Sequence, residues 1–171
     1  LQYGNPQTVT AAAEAARGSV DRLVTAIVDA YAQAAKAGGT KREYNRSGLA
    51  CARFGRYDQA EQAFATALSL DRSYLTALLN WGNGMVLKQQ LGEALRIYHE
   101  AETALASAGP ESAALRPLLL VNLSRCYYDM EDYERSREYY QRAVDADPSM
   151  KARYEYLASA AGGGRQAAAA P

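Results

Sequence analysis

One pattern of small and large side chains occurs three times along this chain with the same internal spacing. The second occurrence begins 34 residues after the first, and the third begins 42 residues after the second. The three sets are Gly48, Tyr57, Ala60, Phe64 and Ala67; Gly82, Leu91, Ala94, Tyr98 and Ala101; and Ser124, Tyr133, Ser136, Tyr140 and Ala143. Residues three, four and seven positions apart share one side of a helix, so each set fits two helices whose apolar faces meet. A period of this length is typical of stacked helix–turn–helix units. The sequence therefore predicts an all-α repeat array.

The predicted array has three units, at residues 41–74, 75–108 and 117–150, and a closing helix that extends it to residue 161. Residues 109–116 are an insertion, which we expect to lengthen a connection. Residues 1–40 are predicted to hold a loose lead-in and a pair of capping helices. Gly18 separates these two helices, and Ser19 can cap the second one. Whether residues 1–40 form a degenerate fourth repeat stays open. Residues 162–171 are predicted to be a flexible tail.

Small residues are expected to set the distance between the two helices of a unit. Gly48 and Ala60 let the backbones approach each other, and Phe64 fills the remaining space. Gly55 lies between the two helices, where a tight turn is needed. The chain has two cysteines, Cys51 and Cys126, in different predicted units. We expect both to be small buried residues that form no disulfide.

The pattern resembles that of the tetratricopeptide repeat family. Residues 41–150 carry the resemblance. The matching positions are Tyr44, Gly48, Tyr57, Ala60, Phe64 and Ala67; Leu78, Gly82, Ala94, Tyr98 and Ala101; and Leu120, Leu123, Tyr127, Tyr140, Ala143 and Pro148. The resemblance implies a right-handed α-solenoid in which the first helix of each pair lines a concave groove. It also implies a protein-interaction scaffold or adaptor rather than an enzyme.

Polar and apolar residues of the first helices are expected to face this groove. The predicted binding residues are Arg42, Asn45, Arg46, Leu49, Arg53, Leu79, Asn80, Asn83, Asn122 and Arg125. An asparagine amide both donates and accepts, so a row of them can hold a peptide backbone. Arginines beside it can grip a carboxylate. We therefore predict an extended peptide or protein partner with acidic character.

Two other functions stay open at this point. Leu49, Leu79, Leu118 and Val121 would suit a secretion- or assembly-type chaperone that holds an apolar segment. The chain could instead be a self-associating structural protein, that is, a homo-oligomer.

Charge and composition argue against several other classes. Lys and Arg together number 19, as do Asp and Glu, and this balance gives no support for nucleic-acid binding. The apolar runs are too short to span a membrane. His99 is the one histidine and has no companions at metal-ligand spacing, so no metal site is expected. No phosphate loop or nucleophile pattern indicates catalysis or a cofactor. The cellular compartment is left open.

Overall fold

The computed structural model describes residues 6–158, and all of its regular elements in that range are helical. The α-helices are α1 (Pro6–Gly38), α2 (Lys41–Arg53), α3 (Tyr57–Leu70), α4 (Leu75–Leu87), α5 (Leu91–Ala106), α6 (Arg116–Asp129), α7 (Tyr133–Ala146) and α8 (Met150–Arg153). Two 3-10 helices cover Pro110–Leu115 and Glu155–Leu157. The prediction of an all-α chain of helix pairs is confirmed.

The chain divides between Leu70 and Asp71 into two compact units. In the first unit, α2 packs against both α1 and α3. In the second unit, α4 packs against α5, and α6 packs against α5 and α7. The insertion at residues 109–116 forms the first 3-10 helix, which leads directly into α6.

Helix α1 runs without a break, so the prediction of two helices separated at Gly18 is wrong. The Ser19 hydroxyl does not cap a new helix but donates to the carbonyl oxygen of Ala15 at 3.0 Å. Arg22 in turn donates to the Ser19 hydroxyl at 3.0 Å. A single glycine costs a helix only about 1 kcal/mol. The alanine-rich flanks and these local bonds outweigh that cost.

Helix α2 begins with a capping box that follows Gly38 and Gly39. The Glu43 amide donates to the Thr40 hydroxyl at 3.3 Å, and the Thr40 amide donates to a Glu43 carboxylate oxygen at 3.2 Å. The Thr40 hydroxyl also donates to this carboxylate oxygen at 2.7 Å, and this bond, together with the one from the Thr40 amide, lowers the pKa of Glu43. The reciprocal bonds satisfy amides that a helix start leaves without a partner.

Helices α2, α4 and α6 all end with the same Schellman motif. One residue in each turn takes the left-handed conformation: Gly55 (φ 73°), Gln89 (φ 60°) and Glu131 (φ 62°). The following amide then donates to a helix carbonyl at 2.9 Å, in the pairs Arg56 to Cys51, Gln90 to Met85 and Asp132 to Tyr127. The turns therefore repeat at the spacing seen in the sequence, although only the first contains glycine.

Each helix pair is closely packed at the position of its small residue. Gly48 lies against the ring of Phe64 in the first unit, and Gly82 lies against the ring of Tyr98 in the second. Phe64 and Ala60 are buried, as predicted. Cys51 and Cys126 are also buried and free, which confirms the prediction for both cysteines.

The closing segment is shorter than predicted. Helix α8 ends at Arg153 because Tyr154 leaves the helical region, with φ −130° and ψ 28°. The turn brings Leu157 into the core, where its side chain is fully buried. The closing helix, predicted to run continuously from about Ser149 to Ala160, is therefore interrupted at Tyr154, and its last predicted residues lie outside the described ones. The predicted lead-in at residues 1–5 and the predicted tail at 162–171 lie outside the described residues.

Candidate functional site

A cleft between α4 and α6 collects three of the predicted binding residues in the second unit. Asn83 comes from α4, and Asn122 and Arg125 come from α6. The complete lining is Asn83, Val86, Leu87, Tyr98, Asn122, Arg125 and Cys126, around a volume of about 170 Å³. The structure therefore places the asparagine pair and the arginine at one site.

Hydrogen bonds fix the orientation of the Asn83 amide. The Tyr98 hydroxyl donates to Asn83 Oδ1 at 2.6 Å, and the Asn122 amide nitrogen donates to the same oxygen at 3.1 Å. These two bonds use both lone pairs of the oxygen. The Asn83 side chain is exposed, and its own NH₂ group keeps two N–H donors for a ligand. A buried tyrosine thus holds an exposed amide in one orientation.

The cleft carries one positive charge at neutral pH. Burial raises the pKa of the Tyr98 hydroxyl well above its ordinary value and raises the pKa of the Cys126 thiol to about 12. Both groups are therefore uncharged at physiological pH. Among the lining residues, only Arg125 is ionised, and it is exposed.

A second cleft lies between α1 and α2 in the first unit. Three predicted residues line it: Arg46, Leu49 and Arg53. Ile27, Tyr31, Ala50 and Phe54 complete its lining, around a volume of about 370 Å³. Arg42 lies instead in a shallow cleft at the start of α2, together with Thr40, Lys41, Glu43 and Arg46.

Family models of the tetratricopeptide repeat match the chain at residues 44–74 and 117–150. The chain contains tetratricopeptide repeats. The two matched ranges fall inside the first and third predicted units, while the bounds of all three units stay predictions. Families of this kind are scaffolds for protein–protein interaction, and they are generally not enzymes.

Solved structures of other tetratricopeptide repeat proteins share the fold. A MamA protein is 14% identical with a TM-score of 0.65, and the match covers 84% of this chain and 75% of that one. MamA 41-end from Desulfovibrio magneticus RS-1 is 19% identical with a TM-score of 0.60, over 93% and 92% of the two chains. YrrB, described as having an unusual peptide-binding site, is 21% identical with a TM-score of 0.58, over 78% and 70%. At these identities the likeness shows the fold alone. No curated protein matches this chain.

Three predicted binding residues of this tetratricopeptide repeat protein are buried. Asn122 is 6% exposed but lines the cleft between α4 and α6, whereas Asn45 and Leu79 line neither cleft. Asn45 is 6% exposed and Leu79 is 3% exposed, because the faces that carry them turn inward. Their assignment to the binding surface is corrected. Val121 is also buried, so two of the four leucine and valine side chains expected for a chaperone surface are inaccessible.

The predicted asparagine ladder is arranged differently from the sequence expectation. Asn80 and Asn122 hold equivalent positions in their units, and the amide of Asn122 bonds to Asn83 in the same helix as Asn80. Asn80 is half-buried and lines neither cleft. The polar surface of the second unit is therefore centred on Asn83.

Sequence reasoning assigned Tyr98 to packing and missed its part in the cleft. The ring does pack, but a buried tyrosine hydroxyl usually needs a partner. That requirement was the one signal that could have linked Tyr98 to a polar neighbour. Ile27, Tyr31 and Phe54 of the first cleft were not among the predicted binding residues.

His99 serves as a structural contact. Its Nε2 lies 3.1 Å from the Tyr127 hydroxyl, and Nδ1 lies 3.3 Å from the Glu102 carboxylate. Arg142 donates to Glu102 at 2.6 Å and thereby joins α7 to α5. Within residues 6–158, no cluster of three metal-ligating side chains is found. No helix in the same range is both long and apolar enough to cross a bilayer.

Proposed function

We propose that this protein binds an extended, acidic peptide or protein segment in the cleft between α4 and α6. The observation that carries the proposal is the convergence of Asn83, Asn122 and Arg125 at one open site, with Tyr98 fixing the Asn83 amide. Fixed amide donors suit a peptide backbone, whose carbonyl groups need partners when they leave water. A donor that is already oriented also loses less entropy when a ligand binds.

The size of the cleft favours a segment of chain over a small molecule. Pockets that enclose a small ligand usually measure roughly 300–1,000 Å³. The 170 Å³ of this cleft is below that range. It accommodates about one side chain, while the rest of an extended segment would lie along the exposed surface beside it.

The charge of the cleft favours an acidic side chain. Arg125 is exposed and is the one ionised residue in the lining. A guanidinium group can form two parallel hydrogen bonds with a carboxylate, and such charge-assisted bonds are about twice as strong as neutral ones. An aspartate or glutamate of the ligand therefore fits beside the backbone that Asn83 would hold.

A titration with matched peptides tests the proposal. An acidic peptide selected from a random library should bind more weakly when each Asp or Glu is replaced by its amide. Arg125→Gln should weaken binding of the acidic peptide by roughly tenfold or more, because it removes a charge-assisted bond. Arg72→Gln, an exposed arginine of the same unit outside the cleft, is the control and should leave affinity unchanged. Equal affinity for the acid and amide peptides would overturn the acidic specificity.

A second pair of variants tests the part played by Tyr98. Asn83→Ala should weaken binding roughly five- to tenfold, through the loss of one hydrogen bond. Tyr98→Phe keeps the ring and removes only the bond that orients Asn83, so it should weaken binding less. In the Asn83→Ala background, Tyr98→Phe should have no further effect on affinity. Independent, additive losses would show that Tyr98 does not act through Asn83.

A further inference from the structure

Helix α1 carries an apolar stripe that the rest of the described chain leaves uncovered. Its members alternate three and four positions apart, which is the a and d spacing of a coiled coil, over three heptads. They are Ala13, Ala16, Val20, Leu23, Ile27, Ala30 and Ala34. Val20 is 59% exposed and Leu23 is 62% exposed. Large apolar side chains in this pattern favour a helical partner.

The stripe is distinct from the face that α1 packs against its own unit. Val28 and Ala35 are almost completely buried, and each directly follows a member of the stripe. The 13 residues of α2 cover only part of the 33-residue α1. By the rise of about 1.5 Å per residue, α1 is about 50 Å long and α2 about 20 Å. The amino-terminal half of α1 therefore extends past its neighbour, although isolated helices of that length are marginal in water.

We propose that two copies of this protein form a dimer in which their α1 helices pair antiparallel through the stripe. In antiparallel coiled coils, a residue at an a position faces one at a d position. The register that achieves this places Val20 opposite Leu23 of the second copy. Ala16 then lies opposite Ile27 of the second copy, so small side chains meet large ones. The contact is the same from both sides, as a two-fold dimer requires.

The cleft of the first unit supports the same arrangement. Ile27 lies both in the stripe and in that cleft, beside Leu49 and Phe54, which are 41% and 39% exposed. In the proposed register the amino-terminal half of the second copy's α1 runs along this cleft. It covers apolar surface that stays exposed in a single chain.

Charges favour a second copy as the occupant. Arg46 and Arg53 line the cleft and give it positive charge. In the proposed register Glu14 of the second copy comes level with residue 29, between the cleft residues Ile27 and Tyr31. Asp29 itself lines a different cleft, with Tyr44 and Cys51. Glu14 is an exposed residue of the amino-terminal half. The same sequence thus supplies the apolar stripe, the small residues opposite the large ones and the matching carboxylate.

Sedimentation or light scattering of the purified chain at micromolar concentration is the first test. The wild type should have twice the chain mass of 18.5 kDa. Leu23→Glu should reduce this to the mass of one chain and leave the helical circular dichroism unchanged, because Leu23 is exposed in a single copy. Thr25→Glu adds the same charge on another side of α1 and should remain dimeric. A monomeric wild type, or a dimeric Leu23→Glu variant, would overturn the proposal.

Cysteine cross-linking tests the direction of pairing. A Val20→Cys chain mixed with a differently tagged Leu23→Cys chain should form a disulfide between the two tags, since opposed positions bring the Cα atoms within bonding range. Val20→Cys alone should cross-link poorly. The native Cys51 and Cys126 are buried and should not compete. Efficient cross-linking of Val20→Cys with itself would indicate parallel helices and contradict the register.

A charge exchange tests the occupant of the cleft. Glu14→Arg should weaken dimerisation several-fold, because it places a third positive charge beside Arg46 and Arg53. Adding Arg53→Glu to that variant should restore part of the lost affinity. If Glu14→Arg and the double variant both dimerise as tightly as the wild type, the second copy does not lie in this cleft.

Discussion

A Cβ atom placed on Gly48 would lie 2.6 Å from Cε1 of Phe64. Real Cβ atoms do not approach other atoms so closely, so the glycine is required by the packing of α2 against α3. The same relationship recurs between Gly82 and Tyr98, where an added Cβ would lie 2.7 Å from Cδ1 of the ring. Both rings are almost completely buried and cannot move aside. The residue at this position therefore sets the distance between the paired helices.

Two glycines in α4 are expected to respond to alanine in opposite directions. Gly82→Ala should lower the free energy of unfolding by about 1–3 kcal/mol, because the new methyl group overlaps the Tyr98 ring. Gly84→Ala should raise it by about 0.5–1 kcal/mol, because alanine favours a helix and no side chain or neighbouring helix lies within 4 Å of the new Cβ. Urea denaturation followed by circular dichroism measures both. A stabilised Gly82→Ala variant would contradict the tight packing.

The helix pairs could be predicted because their determinants are periodic. The close contact of Gly48 and Phe64 follows from a small residue and an aromatic residue at fixed offsets. The third pair obeys the same rule with different chemistry. Ser124 occupies the glycine position, and its hydroxyl donates to the carbonyl oxygen of Ser136 at 2.7 Å in the core. A small side chain whose one polar atom has a partner is tolerated there.

Other features could not be predicted, because they depend on contacts that have no period. The continuity of α1 rests on a balance of a few tenths of a kcal/mol per residue around Gly18, which sequence reading does not resolve. The bond between Asn122 and Asn83 joins two helices and breaks the simple ladder of equivalent positions. The burial of Asn45 depends on neighbouring helices on both sides of α2. The sequence could therefore indicate the polar residues of the site but not their partners.

The left-handed residues that end α4 and α6 offer a route to greater stability. A residue other than glycine in this conformation is strained by about 1 kcal/mol or more. Gln89 and Glu131 hold that conformation, with φ of 60° and 62°. Gln89→Gly and Glu131→Gly should each raise the free energy of unfolding by about 0.5–1 kcal/mol. Thermal or urea unfolding would show the gain.

Matched substitutions separate the conformational effect from a general effect of glycine. Gln90 directly follows Gln89 but has φ of −95°, so Gln90→Gly should give no gain. Gly55→Ala makes the opposite change, because it removes the glycine from the first turn, where φ is 73°. It should lower the free energy of unfolding by about 1 kcal/mol. If Gln89→Gly and Gln90→Gly had equal effects, the conformation of the turn would not be the cause.

Burial of the Cys126 thiol should make the protein sensitive to alkaline pH. Burial, aided slightly by the negative charge of Asp129, raises the pKa of Cys126 from 9.0 to about 12. Between these values the unfolded chain loses a proton that the folded chain keeps. The stabilisation is complete below pH 9 and is lost as the pH rises towards 12. The free energy of unfolding should therefore fall across this interval.

A Cys126→Ala variant provides the comparison, because it has no thiol to ionise. Its free energy of unfolding, from urea titrations at a series of alkaline pH values, should decline less steeply than that of the wild type. Tyr98 contributes to the decline in both proteins, since burial also raises its pKa. The negative charge of the Cys126 thiolate raises the Tyr98 pKa further, so Cys126→Ala reduces this contribution as well. Burial also raises the pKa of the Cys51 thiol, but a hydrogen bond with the Ser47 side chain lowers it. Cys51→Ala should therefore change the slope less than Cys126→Ala does. Identical slopes for the wild type and Cys126→Ala would mean that water reaches the Cys126 thiolate in the folded state, which contradicts its 1% exposure.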